Sequence, residues 1–388
     1  MNRYNVTQNL ATAFMDRYDE LPQRWHYINT LGLECFYRVA RTLDDKAWLA
    51  WVKERYDRFF NSEGIIEEYV LNEFSVDLIS AGKLLFDLYG SYGEERYLDQ
   101  IRAIAHQFTL QMRTPSGGFW HKAIYPQQMW LDGLYMHGPF YIRYGVLTNT
   151  VASVLDDLVF QFELMYEKAL DSATGLLYHA WDEYRQMRWA DPDTGLSANF
   201  WSRAMGWYCM ALVDVLSFIP PDPQWQGYSK RLISLARKLV QPLLNVQDEE
   251  TGLWYQVLDQ GKRGSNYLES SGSAMFVYFL FKMARKGYLT GTYADRVRQA
   301  ARKGFDGLVA LKLVTDEQGE VHLIDICRGA GLGKYYTECQ YRDGSFEYYT
   351  EREPIVTDNF QGMGPLMLAA LEVEYSDTVE QTMNTPFW

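Results

Sequence analysis

A single aspartate lies within a run of large apolar and aromatic residues at positions 127–136 (QQMWLDGLYM). Trp130 precedes Asp132, and Gly133 and Tyr135 follow it. A carboxylate in such surroundings is costly to ionise, which favours a carboxylic acid that donates a proton near neutral pH. Aromatic rings beside an acid also suit a sugar-binding cleft, because the flat C–H faces of sugars pack on indole and phenol rings. The alternative interpretation is a helix end with a capping Asp and buried aromatic neighbours.

Three other residues bear on an acid–base site around Asp132. Pro139 would suit the first turn of a helix, which predicts that Asp132 lies in an irregular segment before that helix. Lys122 follows the turn at Gly118 and could lie close to Asp132. The alternative is an ordinary surface lysine in contact with solvent. Asp77 could share or relay a proton with Asp132, or keep it protonated by like-charge repulsion; an ordinary first-turn helix acid is the alternative.

Two further segments contain candidates for contacts with a sugar. In residues 177–183 (LYHAWDE), strand-like alternation places His179 on the same side as Trp181. Arg203 and Trp207 are four residues apart on a predicted helix and share one face. A guanidinium beside an indole suits a carboxylate attached to a sugar ring. The same pair also fits an arginine that covers apolar surface beside a core tryptophan.

Apolar residues recur near the helical period of 3.6 along most of the chain. The pattern predicts twelve helices, at about 7–19, 28–42, 45–61, 75–90, 93–112, 129–144, 147–169, 198–217, 224–245, 266–286, 290–311 and 356–376. Asp44 and Asn199 are candidate start signals for two of them.

A turn glycine followed by apolar or aromatic residues recurs between alternate helices. It occurs at Gly64, Gly118, Gly175 and Gly252, with a looser copy at Gly344. Each copy predicts a tight turn into a short strand. Helix pairs repeated in this way predict a stack that is either open, as in a solenoid, or closed as an (α/α)6 toroid of six inner and six outer helices, with short hairpin-like loops on one rim. Twelve helices and the lack of a polar capping repeat favour the closed toroid. Since no Pro/Gly/Ser-rich linker divides the chain, we expect one domain over residues 1–388.

The composition limits the possible partners. Hydrophobic residues make up 47% of the 388 positions and aromatic residues 16%, which favours a large core with an aromatic-lined cleft. The net charge of -13 and the lack of a basic run disfavour nucleic-acid binding. The same charge repels an acidic ligand at long range, so such a ligand must be bound by a few cations close to it.

The cysteines and the N-terminal sequence indicate the compartment. The four cysteines have no CxxC spacing and predict reduced, mostly buried thiols: Cys35, Cys209, Cys327 and Cys339. Neither an HExxH motif nor a tight His/Asp/Cys cluster predicts a metal site. Because the sequence also lacks a signal-peptide pattern and a window of roughly 18 apolar residues, we expect a cytoplasmic protein that does not span a membrane.

Several segments in order along nearly the whole chain resemble glycoside hydrolase family 105, the unsaturated rhamnogalacturonyl hydrolases, and more distantly the unsaturated glucuronyl hydrolases of family 88. The segments that carry the resemblance are 130–136 (WLDGLYM), 179–183 (HAWDE), 201–207 (WSRAMGW), 252–257 (GLWYQV), 266–271 (NYLESS) and 358–362 (DNFQG). The resemblance implies an (α/α)6 toroid, in agreement with the helix count.

The resemblance also implies a reaction. The substrate is an oligosaccharide released by a polysaccharide lyase and ending in a 4,5-unsaturated uronic acid. An aspartic acid protonates C4, water adds at C5, and the resulting hemiketal opens with loss of the glycosidic bond. No cofactor or metal is implied. Protonating an enol ether requires a carboxylic acid kept neutral, which aromatic burial favours.

By motif match, Asp132 corresponds to the general acid and Asp77 to the assisting aspartate. Substrate-contacting positions match at Trp130, His179, Arg203, Trp207, Lys122 and Met136, and more weakly at Tyr27 and Thr30. The family pattern Trp-Gly-Arg-Gly-Asn-Gly-Trp reads Trp-Ser-Arg-Ala-Met-Gly-Trp here, with Met205 in place of the Asn. Contacts to the second sugar, and hence the preference for rhamnose, depend on that difference.

Other readings remain open from the sequence. The same toroid could hold an unsaturated glucuronyl hydrolase that acts on glycosaminoglycan fragments, a sugar epimerase or a non-enzymatic carbohydrate-binding protein. An inverting glycosidase would need two carboxylates about 6.5–9.5 Å apart, which Asp77 and Asp132 could supply. The oligomeric state does not follow from the sequence.

Overall fold

The computed structural model describes residues 5–334 and 341–383. The α-helices in these ranges are α1 (Val6–Tyr18), α2 (Tyr27–Thr42), α3 (Lys46–Asp57), α4 (Val76–Ala81), α5 (Lys83–Tyr92), α6 (Glu95–Leu110), α7 (Leu131–Leu147), α8 (Val151–Ala169), α9 (Ser202–Phe218), α10 (Gln226–Asn245), α11 (Ser270–Arg285), α12 (Gly291–Leu311), α13 (Phe360–Glu374) and α14 (Ser376–Met383). Within these ranges, no helix combines the length and the apolarity needed to cross a membrane.

Short strands, paired two by two, occupy the connections. They are β1 (Gln128–Trp130), β2 (Ala180–Asp182), β3 (Leu313–Thr315), β4 (Val321–Leu323), β5 (Ile326–Cys327), β6 (Gly333–Lys334), β7 (Tyr341–Arg342) and β8 (Ile355–Val356). The antiparallel pairs are β1 with β2, β3 with β4, β5 with β8, and β6 with β7. The strands shape the loops, whereas the core is helical.

Six helical positions in the described chain form a closed inner ring. α2 packs against α4, α4 against α7, α7 against α9, α9 against α11, α11 against α13, and α13 returns to α2. The outer layer alternates with them in chain order and consists of α1, α3, α6, α8, α10 and α12. Closure removes the apolar ends that an open array would expose. The predicted (α/α)6 toroid is confirmed.

Burial separates the two layers as their sequences require. The outer helix α10 buries one stripe at helical spacing, comprising Leu232, Leu235, Ala236, Leu239, Val240 and Leu243. The inner helix α9 is buried on all sides over residues 202–216. A helix with one apolar stripe covers a core, and a helix buried all round lies inside one.

All twelve predicted helical segments contain a helix, with two differences and one addition. The segment 75–90 divides into α4 and α5 at Gly82, where an added Cβ would lie within 3 Å of Ile104 and Phe140. The placement of Asp132 before the helix was wrong: α7 begins at Leu131, and Pro139 lies inside it. Pairing of β1 with β2 ends the strand at Trp130 and fixes the helix start there. Helix α14 was not predicted.

Three copies of one turn shape the rim. In each, an aspartate side chain accepts the backbone N–H of the Thr in Asp-Xaa-Xaa-Thr-Gly at 2.8 Å, and the Gly has a positive φ of 76–80°. The turns end at Gly175, Gly195 and Gly252, and the second of them was not predicted. At the predicted Gly118 turn, the positive φ belongs to Gly117. Such φ values favour glycine because it has no Cβ.

Asp44 and Asn199 were wrong as cap predictions. Asp45 caps α3 by accepting the backbone N–H of Trp48 at 3.0 Å, and Trp201 occupies the cap position of α9. Of the cysteines, Cys35, Cys209 and Cys327 are buried free thiols. Cys339 lies outside the described residues.

Buried charges connect the inner helices below the rim. Arg38 on α2 contacts Glu34 at 2.6 Å and Asp214 on α9 at 3.6 Å. Lys282 on α11 binds the other Asp214 oxygen at 2.7 Å, and Lys83 on α5 lies 3.1 Å from Glu34. All five side chains are buried. Charges in such a place need their partners, because an unpaired buried charge costs several kcal/mol.

We expect Asp214→Asn to destabilise the fold by about 3–5 kcal/mol at neutral pH, because it leaves Lys282 and Arg38 without their shared counter-charge. Burial alone raises the pKa of Asp214, but Lys282 and Arg38 outweigh burial and lower this pKa to about 2. The stabilisation is therefore present above the ordinary pKa of 3.8 and is lost as the pH falls through about 2.

Urea unfolding of the wild type and the variant at several pH values measures this effect. Asp306→Asn is the control, since Asp306 is exposed on α12 and its removal should change stability by less than about 0.5 kcal/mol. Equal stability of Asp214→Asn and wild type at neutral pH would contradict the prediction.

Candidate active site

A cavity of about 340 Å³ opens among the rim loops and the first turns of the inner helices. Its lining residues come from both halves of the chain: His26, Tyr27, Asp77, His121, Lys122, Tyr125, Trp130, Asp132, Met136, Trp201, Arg328, Gly329, Ala330, Gly331, Arg342 and Gln361. Six of the ten residues selected from sequence line it, namely Tyr27, Asp77, Lys122, Trp130, Asp132 and Met136. The remaining four lie behind this lining.

Asp132 is in the first turn of α7, directly after the β1 ladder. The backbone N–H of Leu131 donates to the carbonyl of His179 at 3.0 Å, which holds the two segments side by side. As a result, His179 Nε2 lies 3.4 Å from Asp132 Oδ2. His179 is fully buried, whereas the Asp132 side chain keeps 13% of its surface exposed. The acid is therefore the member of this pair that reaches the cavity.

Tyr349 supports this pair from behind, and sequence reasoning missed it. Its hydroxyl lies 2.8 Å from His179 Nδ1. The residue belongs to a π-helical turn, Tyr348–Arg352, and its carbonyl accepts a hydrogen bond from Gln256 at 3.1 Å. A π-helical turn within irregular sequence gives no periodic signal. Turns of this kind occur often at functional sites.

Asp77 forms a second acidic element of the cavity. It lies in the first turn of α4, with Lys122 Nζ at 2.5 Å from Oδ2 and His121 Nε2 at 3.3 Å from Oδ1. Burial alone raises the pKa of Asp77, but Lys122 and His121 outweigh burial and lower it well below its ordinary value. The Asp77 carboxylate is thus a fixed negative charge at neutral pH, partly balanced by a lysine that lines the same cavity.

Aromatic rings form one wall. Trp130 stacks on His121, with ring centroids 4.9 Å apart, and on Tyr125, with centroids 4.6 Å apart. Tyr27, which also lines the cavity, receives a hydrogen bond from Gln361. Burial raises the pKa of Tyr27, so that it remains a neutral phenol. Flat rings with hydroxyl groups at their edges suit a sugar, which offers both C–H faces and hydroxyls.

Arg203, Trp207 and Thr30 do not line the cavity. Arg203 is completely buried: Nε donates to Ser271 Oγ at 2.8 Å, and Nη2 donates to the carbonyl of Cys327. Trp207 is also completely buried and stacks on Tyr135 with centroids 4.6 Å apart. The Thr30 hydroxyl donates to the His26 carbonyl within α2.

Two cations at the cavity were not predicted. Arg328 follows β5, and its side chain is about half exposed (48%). Arg342 lies on β7; its Nη2 donates to the Tyr125 hydroxyl at 3.1 Å and its Nε to the Gly333 carbonyl at 3.2 Å. The glycine-rich run at 328–333 (RGAGLG) was the one sequence signal, because glycines allow close approach of backbone to a ligand.

A group of side chains that could ligate a metal lies elsewhere in the described chain, at Asp316, Glu320 and His322 around the β3–β4 hairpin. Arg17 already donates to Glu320 at 3.1 Å. None of these residues is among the described residues that line the cavity. We assign no function to this group.

A cavity with an acid, a paired carboxylate and stacked aromatic rings, at the rim of a helical toroid, is characteristic of enzymes that process sugars. Residues 6–376 match the family described as Glycosyl Hydrolase Family 88. The chain belongs to this family, and it is an enzyme that acts on unsaturated uronyl sugars. The family resemblance found in the sequence is confirmed.

Individual proteins similar to this chain include two curated relatives and a solved structure. A solved structure of a family 105 glycoside hydrolase from C. acetobutylicum is 38% identical with a TM-score of 0.88, covering 95% of this chain and 99% of that one. A protein of Agrobacterium fabrum is 40% identical over 234 residues, 60% of this chain and 96% of that protein. The unsaturated rhamnogalacturonyl hydrolase YesR of Bacillus subtilis is 29% identical over 240 residues, 58% of this chain and 65% of that protein.

Replacing Tyr349 with Phe tests whether its hydroxyl orients His179. When the hydroxyl donates to Nδ1, the proton of the neutral imidazole resides on Nε2 and faces Asp132. We expect Tyr349→Phe to lose this preference, so that the ring-nitrogen NMR signals of His179 move from one tautomer toward a mixture.

His179→Gln assigns the signals in this experiment. Tyr208→Phe is the matched control. The buried Tyr208 hydroxyl donates to the Phe162 carbonyl at 2.8 Å and makes no contact with His179. If the His179 signals of Tyr349→Phe equal those of the wild type, another group sets the tautomer.

Proposed function

We propose that this enzyme removes the terminal 4,5-unsaturated uronic acid from rhamnogalacturonan fragments, with Asp132 as the general acid. The observation that carries the proposal is the pairing of Asp132 with His179 at a cavity whose other carboxylate, Asp77, is held ionised by Lys122. Similarity to the rhamnogalacturonyl hydrolase of Bacillus subtilis supports the choice of the pectin-derived substrate.

The reaction follows from the chemistry of an enol ether. Asp132 donates its proton to C4 of the double bond, and the positive charge that develops at C5 is stabilised by the ring oxygen. Water adds at C5 and returns one proton to Asp132, so that the acid is regenerated. The hemiketal at C5 then opens, and the rearranged sugar releases the glycosidic oxygen at C1. One water is consumed for each bond broken.

The state of Asp77 favours one of its possible roles. A carboxylate paired with Lys122 at 2.5 Å, with a lowered pKa, holds no proton to relay near neutral pH. It supplies instead a fixed negative charge in the cavity, which stabilises positive charge developing on the sugar. The same pairing makes Asp77 a poor general base, which argues against an inverting glycosidase.

The remaining sequence candidates divide into three groups in this proposal. Trp130, Met136, Tyr27 and Lys122 line the cavity and contact the sugar directly. His179 acts through Asp132. Arg203, Trp207 and Thr30 lie behind the lining and shape it: Trp207 packs edge-on against Tyr27 with centroids 6.2 Å apart.

We further propose that the chain works as a single catalytic domain in the cytoplasm. Residues 6–376 match one family without interruption. The free thiols of Cys35, Cys209 and Cys327 suit a reducing compartment. In that location the enzyme acts on short fragments that have already entered the cell.

The decisive measurement follows the ultraviolet absorbance of the conjugated enol-ether carboxylate. We expect absorbance to fall with lyase-generated rhamnogalacturonan fragments, and Asp132→Asn to reduce the rate by roughly 100- to 10,000-fold, as loss of a general acid does. Tryptophan fluorescence should show that Asp132→Asn still binds the fragments. Asp99→Asn, an exposed change on α6, should leave the rate unchanged.

Each of the other outcomes would indicate a different function for this protein. Loss of absorbance with chondroitin fragments alone would assign a glucuronyl hydrolase of glycosaminoglycans. Normal turnover by Asp132→Asn would overturn the assignment of the acid. Binding without any turnover by the wild type would indicate a carbohydrate-binding toroid, and release of sugar with the double bond intact would indicate a conventional glycosidase.

A further inference from the structure

The residues that line the cavity include more cations than acids. Among the described residues that line it, five carry full charges in their ordinary ionised forms: Asp77, Lys122, Asp132, Arg328 and Arg342. Lys122 is already paired with the Asp77 carboxylate at 2.5 Å and partly balances its charge. Two guanidinium groups then remain beside one acid, in a chain whose net charge is -13. Cations concentrated against such a background indicate an anionic ligand.

A hydrogen bond fixes the backbone of Arg328, whereas its side chain is partly exposed and can bind a ligand. Its N–H donates to the Pro354 carbonyl at 2.8 Å, which continues the pairing of β5 with β8. Its side chain is about half exposed, and its ion pair with Glu353 spans 3.9 Å, longer than a hydrogen bond. Guanidinium hydrogens therefore remain for a ligand in the cavity that Arg328 lines.

Arg342 is fixed more tightly. Besides Tyr125 and Gly333, its guanidinium donates to the Leu332 carbonyl at 3.3 Å, and the residue is only 8% exposed. The Tyr125 ring that it contacts stacks on Trp130, two residues before Asp132. Arg342 thus presents a preorganised positive charge to the same small space as the acid, at little entropic cost.

We infer that Arg328 and Arg342 form the receptor for the carboxylate of the unsaturated uronic acid, with Arg328 making the direct contact. The inference rests on the proposed function, since it assigns a binding partner to the substrate of the same site. The carboxylate is attached to C5, next to the C4 atom that Asp132 protonates, so its receptor must share the cavity with Asp132. Arg328 and Arg342 meet that requirement.

Arg203 acts indirectly in this arrangement. Its Nη2 donates to the carbonyl of Cys327, the residue before Arg328, and Glu269 accepts the Cys327 N–H at 3.0 Å. Arg203 and Glu269 thereby fix the strand that positions Arg328. Arg203 is a positioning residue, whereas Arg328 is the contact residue.

A substrate without the negative charge tests the inference directly. The fragments would be compared as the free uronic acid and as its methyl ester, with kcat/KM measured for the wild type and Arg328→Gln. We expect Arg328→Gln to lose roughly 10- to 100-fold on the acid, mainly through KM, which is the size of a lost hydrogen bond between charged groups. On the ester, wild type and variant should differ by less than about threefold.

Two variants serve as comparisons. Arg263→Gln removes the same charge from an exposed position that does not line the cavity, and should leave both substrates unaffected. Arg328→Lys keeps the charge without the planar fork, so it should recover part of the loss on the acid.

The outcomes separate this inference from the proposed function. If Arg328→Gln loses equally on acid and ester, or loses nothing on the acid, the receptor assignment is overturned while turnover by the wild type upholds the function. If the wild type turns over neither substrate, both proposals fail. A folded, active Arg342→Gln enzyme with the same acid-specific loss would extend the support to the second arginine.

Discussion

The site depends on one short antiparallel pairing, between β1 and β2. Met129 pairs with Trp181 and Trp130 with Ala180, and the next hydrogen bond of the ladder joins Leu131 to the His179 carbonyl. Helix α7 begins at that point, so Asp132 leaves the ladder in the first turn of a rigid inner helix. The acid and its histidine are therefore positioned by backbone hydrogen bonds. Side-chain contacts, such as that of Tyr349 with His179, then fix the orientation of the side chains.

The ring below this ladder provides rigidity through charges as well as apolar packing. The Lys83 ammonium, held by Glu34, lies 3.7 Å from the centroid of the Tyr135 ring, three residues after Asp132 on α7. Tyr135 in turn stacks on Trp207, which packs against Tyr27 at the cavity. The buried ion network is thus continuous with the floor of the site. Ion pairs buried in this way favour the arrangement of the inner helices that keeps opposite charges together.

Local sequence patterns predict the toroid and select six of the sixteen described residues that line the cavity. Periodicity of 3.6 detects the helices because each inner or outer helix buries a face of its own. The periodic segment 129–144 begins within two residues of α7, but the exact start depends on pairing with residues about fifty positions later. Without the structure, Pro139 was the available marker, and packing of the inner ring accommodates it inside the helix.

Tyr349, Arg328 and Arg342 escaped prediction for a related reason. Each lies in the long connection between α12 and α13, where short strands and a π-helical turn replace any regular period. Tyr349 meets His179 from a distance of 170 residues along the chain, and Arg342 meets Tyr125 from 217. Closing the ring brings the last connection next to the middle of the chain. A contact created by closure has no local signature.

The same closure allows an arginine that does not line the cavity to support it. Arg203 is in the first turn of an inner helix, and its guanidinium donates through Nε to Ser271 and through Nη2 to the carbonyl of Cys327. It joins α9 to β5 where the last connection crosses the cavity. A strongly acidic chain needs few cations to bind an anion, provided that those cations are held in place. Arg203 holds the backbone, and this leaves Arg328 available to meet the charge of the substrate.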